Sequence, residues 1–456
     1  MHPLLLTFYG DDFTGSTDVM ESLEIGGVPT VLFLEPPTPD QLERFPAVRA
    51  VGVAGVSRTM SPAQMDAELR PAFRAIRALN APIFHYKVCS TFDSSPTIGS
   101  IGHALDLGAA VFEPPVIPLV VGAPALNRFV VFGHLFARIK GVSYRLDRHP
   151  TMSKHPITPM TESDLRLHLG KQTEKSIGLI DVLQLDAGDV SVDDAFDALM
   201  DQHREIILFD TIHREHLLQI GRKVWSLRGD QPIFAVGSSG LEYALTAYWQ
   251  QAGVIAVPQP LPSPGPVDQL LVVAGSAAPT TAEQIDFATA QGFVGVRLNA
   301  PRLIDPETAD AERAASVETA LRLLAEGRSV LLYSSHGPDD EAISATNQHM
   351  ARLGFDPKTV GSRLGTQQGM ILREVLERTG LKRACVAGGD TCGYAAKQLG
   401  IYALQVLTPI APGAPLCRAS SDNPRFDGLE ISLKGGQNGV ADYFVKILNG
   451  GEPVPA

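Results

Sequence analysis

Leu4-Leu5-Leu6-Thr7-Phe8-Tyr9-Gly10-Asp11-Asp12-Phe13-Thr14-Gly15-Ser16 carries an unbroken apolar segment straight into an acidic turn. A short, continuously apolar segment that stops at turn residues reads as a strand buried on both faces, as in parallel sheets. A helical pattern follows, with Val19 to Leu23 starting a helix and Asp18 near its positive end. The same alternation recurs outward from there. Val28 to Leu34, Ala50 to Val56 and Ile83 to Val88 read as further strands. Ser61 caps a helix that runs to Leu79, with Met65, Leu69, Phe73 and Ile76 on one face and Pro71 expected to kink it. In the back half, Leu270 to Ala274, Ser329 to Tyr333 and Ala384 to Ala387 read as strands. Helices are expected from about Thr280, from Tyr394 to Leu399 and from Ala441 to Leu448. The pattern predicts an α/β chain whose domains each carry a mostly parallel sheet flanked by helices. Ligands of such sheets sit at the carboxyl ends of the strands.

The chain has 456 residues, too many for one ordinary core. Between residues 254 and 268 five prolines alternate with other residues, which excludes a helix or a central strand. This stretch reads as a semi-rigid linker over 257–267, dividing a domain of residues 1–256 from one of residues 268–456. A formal net charge of −12 argues against general nucleic-acid binding. Val116 to Ala125 is the nearest thing to a membrane span, but it is short and interrupted by Pro118 and Pro124, so no membrane role is expected. Cys89, Cys385, Cys392 and Cys417 lack zinc-ligand spacing and read as reduced thiols of a cytoplasmic protein.

Several strand ends carry chemistry. Gly388-Gly389-Asp390-Thr391 joins a strand to a helix, where glycine lets the backbone approach a phosphate and the helix offers its positive end. Lys434-Gly435-Gly436 with Gly439 is a second loop of this type, and Gly275-Ser276 and Ser334-Ser335-His336-Gly337 follow other strands. Alone, Lys434 reads better as a solvated lysine before a turn. Together the loops point to a nucleotide, although neither the Walker nor the dinucleotide pattern is present. Asp11 and Asp12 repel each other, so a metal or a substrate hydroxyl is their natural counterpart. The plainer reading is an Asp-capped helix start, with Thr14 or Ser16 as the cap. Lys87 suits a substrate carboxylate, and the Ser90 and Thr91 hydroxyls suit polyol oxygens. Arg145, Arg148, Lys154, His149 and His155 lie in a dense polar loop that fits either an anionic substrate or a set of internal ion pairs. Asn127-Arg128 is a further anion contact to consider. Cys89 has no histidine neighbour in sequence and reads as inert.

These residues together resemble the four-carbon acid sugar kinase family along nearly the whole chain. The marks are Gly10-Asp11-Asp12-Phe13-Thr14-Gly15, Lys87 to Gly99, Gly275-Ser276, Gly388-Gly389-Asp390-Thr391, and Lys434 to Gly439. The resemblance implies an N-terminal acid-sugar domain, a C-terminal ATP domain and an active site in the cleft between them. It implies ATP with Mg2+ on Ser276, Gly388, Gly389, Asp390, Thr391, Lys434, Gly435, Gly436 and Gly439, the metal ligands remaining open. The sugar acid is then expected against Lys87, Ser90, Thr91 and Arg145, with Asp12 as the base and Asp11 as the alternative. Where the family reads Ile-Asp-Ser-Thr-Leu-Arg-Gly after the lysine, this chain has Val88-Cys89-Ser90-Thr91-Phe92-Asp93-Ser94. That departure resembles the branch acting on 3-oxo-isoapionate. Threonate, erythronate and 3-oxo-tetronate are the alternative substrates. A metal-dependent isomerase or lyase and a non-catalytic sensor are the rivals from other classes, and the oligomeric state, a homo-oligomer included, stays open.

Overall fold

A computed structural model describes residues 3–356 and 359–451, except the side chain of Asp390. The chain divides into two compact units, Met1–Gln259 and Pro260–Ala456. In the first unit the strands are β1 (Leu6–Gly10), β2 (Thr30–Phe33), β3 (Ala50–Ala54), β4 (Ile83–Lys87), β5 (Ile117–Val120), β6 (Arg128–Val131), β7 (His134–Ile139), β8 (Val142–Arg145), β9 (Ile177–Ile180), β10 (Ile206–Phe209) and β11 (Ile233–Gly237). The large sheet runs β2-β3-β1-β4-β11-β5-β10-β9, and its pairings are parallel. A small antiparallel sheet, β6-β7-β8, stands apart from it.

Burial explains the parallel sheet. Every residue of β1, β4 and β11 is buried, so these strands need helices on both faces. Phe73, on the helix Pro62–Arg77, meets Phe84 of β4 at 5.1 Å between ring centroids, and Phe84 stacks on Phe112 at 4.5 Å. Phe112 in turn stacks on Phe234 of β11 at 5.5 Å. Such aromatic pairs each add about 0.5–1.5 kcal/mol beyond their burial. The packing also fixes where glycine is required: a Cβ on Gly52 of β3 would fall 2.0 Å from Phe8 Cζ.

The second unit has β12 (Leu271–Ala274), β13 (Val294–Arg297), β14 (Val330–Tyr333), β15 (Arg383–Ala387), β16 (Ile401–Ala411), β17 (Ala414–Ser421) and β18 (Glu430–Lys434). Its order is β13-β14-β12-β15-β18-β17-β16, parallel up to β18 and antiparallel beyond. Arg383, 1% exposed, ties the start of β15 to β18, to the segment before β12 and to the last helix. It pairs with Glu430 at 2.7 Å and donates to the carbonyls of Gly265, Ile447 and Leu448 at 2.9, 3.0 and 3.0 Å.

Several local expectations are corrected. The first helix starts at Phe13, not near Val19, and its cap is Asp12 rather than Thr14 or Ser16. Asp18 therefore lies within the helix, a turn past its positive end. Pro71, expected to kink its helix, lies inside an element that runs unbroken from Pro62 to Arg77. Pro71 and Ala67, the residue whose carbonyl loses its donor, are both exposed, where solvent can take the place of the missing bond. The helix expected at Tyr394 begins at Gly389, and the last one begins at Tyr443. The interior of Val116 to Ala125 is β5, and no helix among the described residues is long and apolar enough to cross a membrane. The proline-rich stretch has no helix or strand, but its second half is held: Ser263 Oγ donates to the Gly450 carbonyl at 2.7 Å.

Candidate functional site

In the first unit the acidic turn follows β1 directly. β1 pairs with β3 and β4 so that Gly10 lies opposite both Ala54 and Lys87. Parallel register thus brings three strand ends to one edge. Asp12 Oδ1 accepts from the Gly15 amide at 2.7 Å, and Ser16 Oγ donates to the Asp12 carbonyl at 2.7 Å. The counterpart of the carboxylate pair is a side chain that the sequence did not single out, Arg58. It donates from Nε and Nη2 to Asp11 at 3.1 and 2.9 Å, and from Nη1 to Asp12 Oδ2 at 2.7 Å. The signal for it was available: Ser57-Arg58 directly follows the third strand, at the same edge as the aspartates.

Burial separates the two acids. Asp11 is 6% exposed at its side chain and Asp12 29%. Burial pushes the Asp11 carboxyl above the ordinary range, and Arg58 opposes that push. Arg58 is itself held charged, well above its ordinary value, by Asp11, Cys89 and Asp12 against the cost of its burial. Lys87 is buried, and a Cβ on Gly15 would fall 2.9 Å from its Nζ, so glycine there makes room for the ammonium. Its charge acts on both Asp11 and Asp18.

The loop after β4 is tied inward. Thr91 Oγ1 donates to Asp93 Oδ1 at 2.5 Å and lies 3.0 Å from Cys89 Sγ, and Thr158 Oγ1 donates to Asp93 Oδ2 at 3.3 Å. Ser90, the half-buried neighbour of this network, keeps its place at the same strand end. Arg145 has a different arrangement from the one expected. It is exposed, and its fork is taken by Asp147 at 2.7 Å on both nitrogens, with Arg148 joining the same carboxylate at 3.5 Å. The internal ion-pair reading of that loop is the one the structure displays.

In the second unit β12, β15 and β18 lie side by side, with Ala274, Ala387 and Lys434 at their carboxyl ends. The turns that follow interlock: the Gly275 amide donates to the Ala387 carbonyl and the Gly388 amide to the Lys434 carbonyl, each at 2.9 Å. A Cβ on Gly275 would fall 2.1 Å from Thr391 Oγ1, and one on Gly436 would fall 2.1 Å from Ser276 Oγ. Gly388 has φ +137°, a conformation open to glycine. By contrast nothing lies within 4 Å of a Cβ built on Gly389. A cavity of about 230 Å³ opens here, lined by Gly275, Ser276, Gly388, Gly389, Thr391 and the face of the helix Val360–Thr379 that carries Gly365 and Gln368. Among the described residues no side chain caps the helix Gly389–Gln398, whose N-terminal end borders this space. The sequence reading missed Gly361, Gly365 and Gln368, although glycine at 361, 365 and 369 marks one helix face.

Lys434 is fully buried, which overturns the solvated-lysine reading. Its ammonium donates to Thr281 Oγ1 at 3.3 Å and to the Gly436 carbonyl at 3.5 Å, bracing the loop from beneath. Burial holds its pKa below the ordinary value. The Asp390 side chain lies outside the described residues. Gly435 is half-buried, and Gly439, at φ +83°, turns against the ring of Tyr443. The cysteines are all free, and burial pushes the Cys385 thiol up to about 12 and raises that of Cys392 as well, so these two are inert.

A glycine-lined cradle in one α/β unit and an acid- and cation-bearing strand edge in another define a protein that pairs a nucleotide with a small polar ligand. Two family models match accordingly, a sugar-binding N-terminal domain over residues 6–245 and a nucleotide-binding C-terminal domain over residues 271–444. The chain belongs to the four-carbon acid sugar kinase family. It is 48% identical to a 3-oxo-isoapionate kinase of Paraburkholderia graminis over 98% of this chain and 94% of that one. It is 31% identical to a 3-oxo-tetronate kinase of Methylobacterium radiotolerans, over 98% and 99% of the two chains. A crystal structure from Salmonella typhimurium LT2 shares the fold with a TM-score of 0.78 at 24% identity, covering 97% of this chain and 98% of that one. Another, from Haemophilus influenzae, has a TM-score of 0.73 at 21% identity, covering 96% and 98%.

Proposed function

We propose that this chain is an ATP-dependent kinase acting on a hydroxyl of a small sugar acid, with 3-oxo-isoapionate as the substrate. The observation that carries the reading is the cradle at the ends of β12, β15 and β18, where glycine is required for packing at residues 275 and 436 but leaves open space at residue 389. A triphosphate fits such a site: it needs close backbone approach, unpaired amides and a helix N-terminus, and little side-chain bulk. Ser276, Gly388 to Thr391, and Gly435 to Gly439 would hold the phosphates, with Lys434 stiffening the last loop. Mg2+ bound with the nucleotide would neutralise its charge.

The sugar acid is placed against Asp11, Asp12, Lys87, Ser90 and Thr91. Asp12 takes the proton of the attacking hydroxyl, because it is the more exposed carboxylate and Arg58 fixes its orientation. Asp11, buried and doubly bound by Arg58, holds that arginine in place. Phosphoryl transfer asks chiefly for positioning and charge neutralisation, which this set supplies. The identity to the Paraburkholderia graminis kinase supports the substrate, and the free thiols agree with a cytoplasmic setting. The deciding experiment is a coupled ADP-release assay on purified protein with 3-oxo-isoapionate, 3-oxo-tetronate, threonate and erythronate. Turnover with the highest kcat/KM on 3-oxo-isoapionate is expected. A preference for a four-carbon acid would move the substrate, and absence of ADP release with every acid would end the kinase reading.

A further inference from the structure

Arg128 opens β6 from a turn anchored at the edge that carries Asp12 and Lys87. Its backbone exchanges hydrogen bonds with Ala123 at 3.0 and 3.1 Å, just beyond the end of β5. The end of β5 is bound to that of β11: the Ser238 amide donates to the Val120 carbonyl at 2.9 Å, and Ser238 Oγ to the Val121 carbonyl at 2.7 Å. The end of β11 is bound to that of β4, where the Val88 amide donates to the Gly237 carbonyl at 2.7 Å. The order β1, β4, β11, β5 therefore places the aspartates, Lys87 and the Arg128 turn along one row of carboxyl ends.

The guanidinium is anchored by one nitrogen only. Nη1 donates to the carbonyls of Leu126 and Asn127 at 3.0 and 3.2 Å. Nε is buried and has no acceptor among the described residues, and no carboxylate there pairs with the group. Four other cations of this unit face carboxylates. Arg58 holds Asp11 and Asp12, Lys87 faces Asp11 and Asp18, Arg145 binds Asp147, and Arg166 binds Asp164. Burial accordingly pulls Arg128 below its ordinary pKa, and the acidic group acting on it is the Cys89 thiol, which acts on Arg58 as well. Cys89 thus lies within electrostatic reach of one arginine committed to the aspartates and one with a vacant fork. A half-buried guanidinium without a counter-charge is costly, and its free edge matches the two oxygens of a carboxylate.

We propose that Arg128 recognises the carboxylate of the sugar acid through its Nε–Nη2 edge, leaving Lys87 and the aspartate pair to the hydroxyl that is phosphorylated. This rests on the kinase reading above and adds the residue that selects an acid over a neutral sugar. A neutral ligand leaves the half-buried fork unpaired, and such a site disfavours ligands that lack the group it was built for.

The test uses the full chain in the ADP-release assay with 3-oxo-isoapionate and with the analogue whose carboxylate is reduced to a primary alcohol. Arg128→Gln is expected to raise KM for the acid by roughly 10- to 100-fold, with kcat changed only a few-fold and KM for ATP unchanged. Arg128→Lys should recover part of that loss, and the parent and both variants should handle the alcohol equally. An unchanged KM for the acid in Arg128→Gln, or a matching rise on the alcohol, overturns the assignment. If Arg128→Gln does not fold, the parent decides: less than a tenfold preference for the acid over the alcohol overturns it too. A parent inactive on every sugar acid sinks the kinase reading instead, so the two failures are distinguishable.

Discussion

Asp11 and Asp12 are adjacent in sequence, yet their surroundings give them different work. Asp11 accepts two nitrogens of Arg58 and is nearly enclosed, whereas Asp12 divides its oxygens between the Gly15 amide and Arg58 and keeps contact with solvent. A base must be reachable by its proton donor, so Asp12 is the residue whose loss should touch chemistry rather than nucleotide affinity. Asp12→Asn keeps the cap on Gly15, because the amide oxygen still accepts, and so should fold. Its kcat is expected to fall by about 10²- to 10⁴-fold, while the ATP dissociation constant from titration calorimetry stays that of the parent. Parental turnover in this variant would remove Asp12 from the proton transfer. The aspartates were legible because Gly10-Asp11-Asp12 ends an apolar strand. Arg58 was legible only as a cation after the third strand, because nothing in the order of residues says that this strand lies beside the first.

At the scale of elements, the strand-to-helix turns of the second unit sort their glycines into two kinds. Gly275 and Gly436 are glycine because another side chain occupies the space where a Cβ would go. Gly389 has no such neighbour, so a side chain there enters the cavity instead of the protein. Gly389→Val should therefore weaken ATP binding at least tenfold with a melting temperature close to the parent's. Gly275→Ala, which crowds Thr391 Oγ1, should lower stability by about 1–3 kcal/mol, as overpacking does. Denaturant titration and nucleotide titration of both variants read the two effects separately. Tight ATP binding in Gly389→Val would move the phosphates away from the 388–391 turn. The strands that carry these turns were legible from their continuous apolar runs. The start of the helix Gly389–Gln398 was not, since Gly-Gly reads as a turn until the tertiary setting shows it continuing from β15.

For the whole molecule, stability against acid depends on groups that the sequence ranks as ordinary. His168 is buried, with its Nε2 3.0 Å from Ser94 Oγ and 3.1 Å from Gln172 Nε2, and burial lowers its pKa to about 4. A folded-state pKa below the unfolded value means that the unfolded chain binds the proton more readily. The contribution is thus complete above about pH 6.5 and is lost as the pH falls toward 4. Glu24 has the opposite sense: burial raises it to about 7, so its contribution favours the folded chain at low pH and fades as the pH rises from about 4.5 to 7. Between pH 7.5 and pH 5 the His168 term should cost the parent about 2 kcal/mol. His168→Gln should be less sensitive to that change by the same amount in urea titrations at the two pH values. An equal loss in the parent and the variant would show that His168 stays neutral in both states.

By itself the sequence determined the α/β class, the division near the proline-rich stretch as an expectation, and the loops worth watching. Those features are local: apolar runs, glycine turns and prolines act on the backbone within a few residues. The tertiary structure alone decided which charges meet. It set Arg58 against the aspartates, paired Arg145 with Asp147, and left Arg128 without a counter-charge among the described residues. Electrostatic partnership depends on distance through space and on burial, and both follow from strand order, which no stretch of the chain encodes on its own.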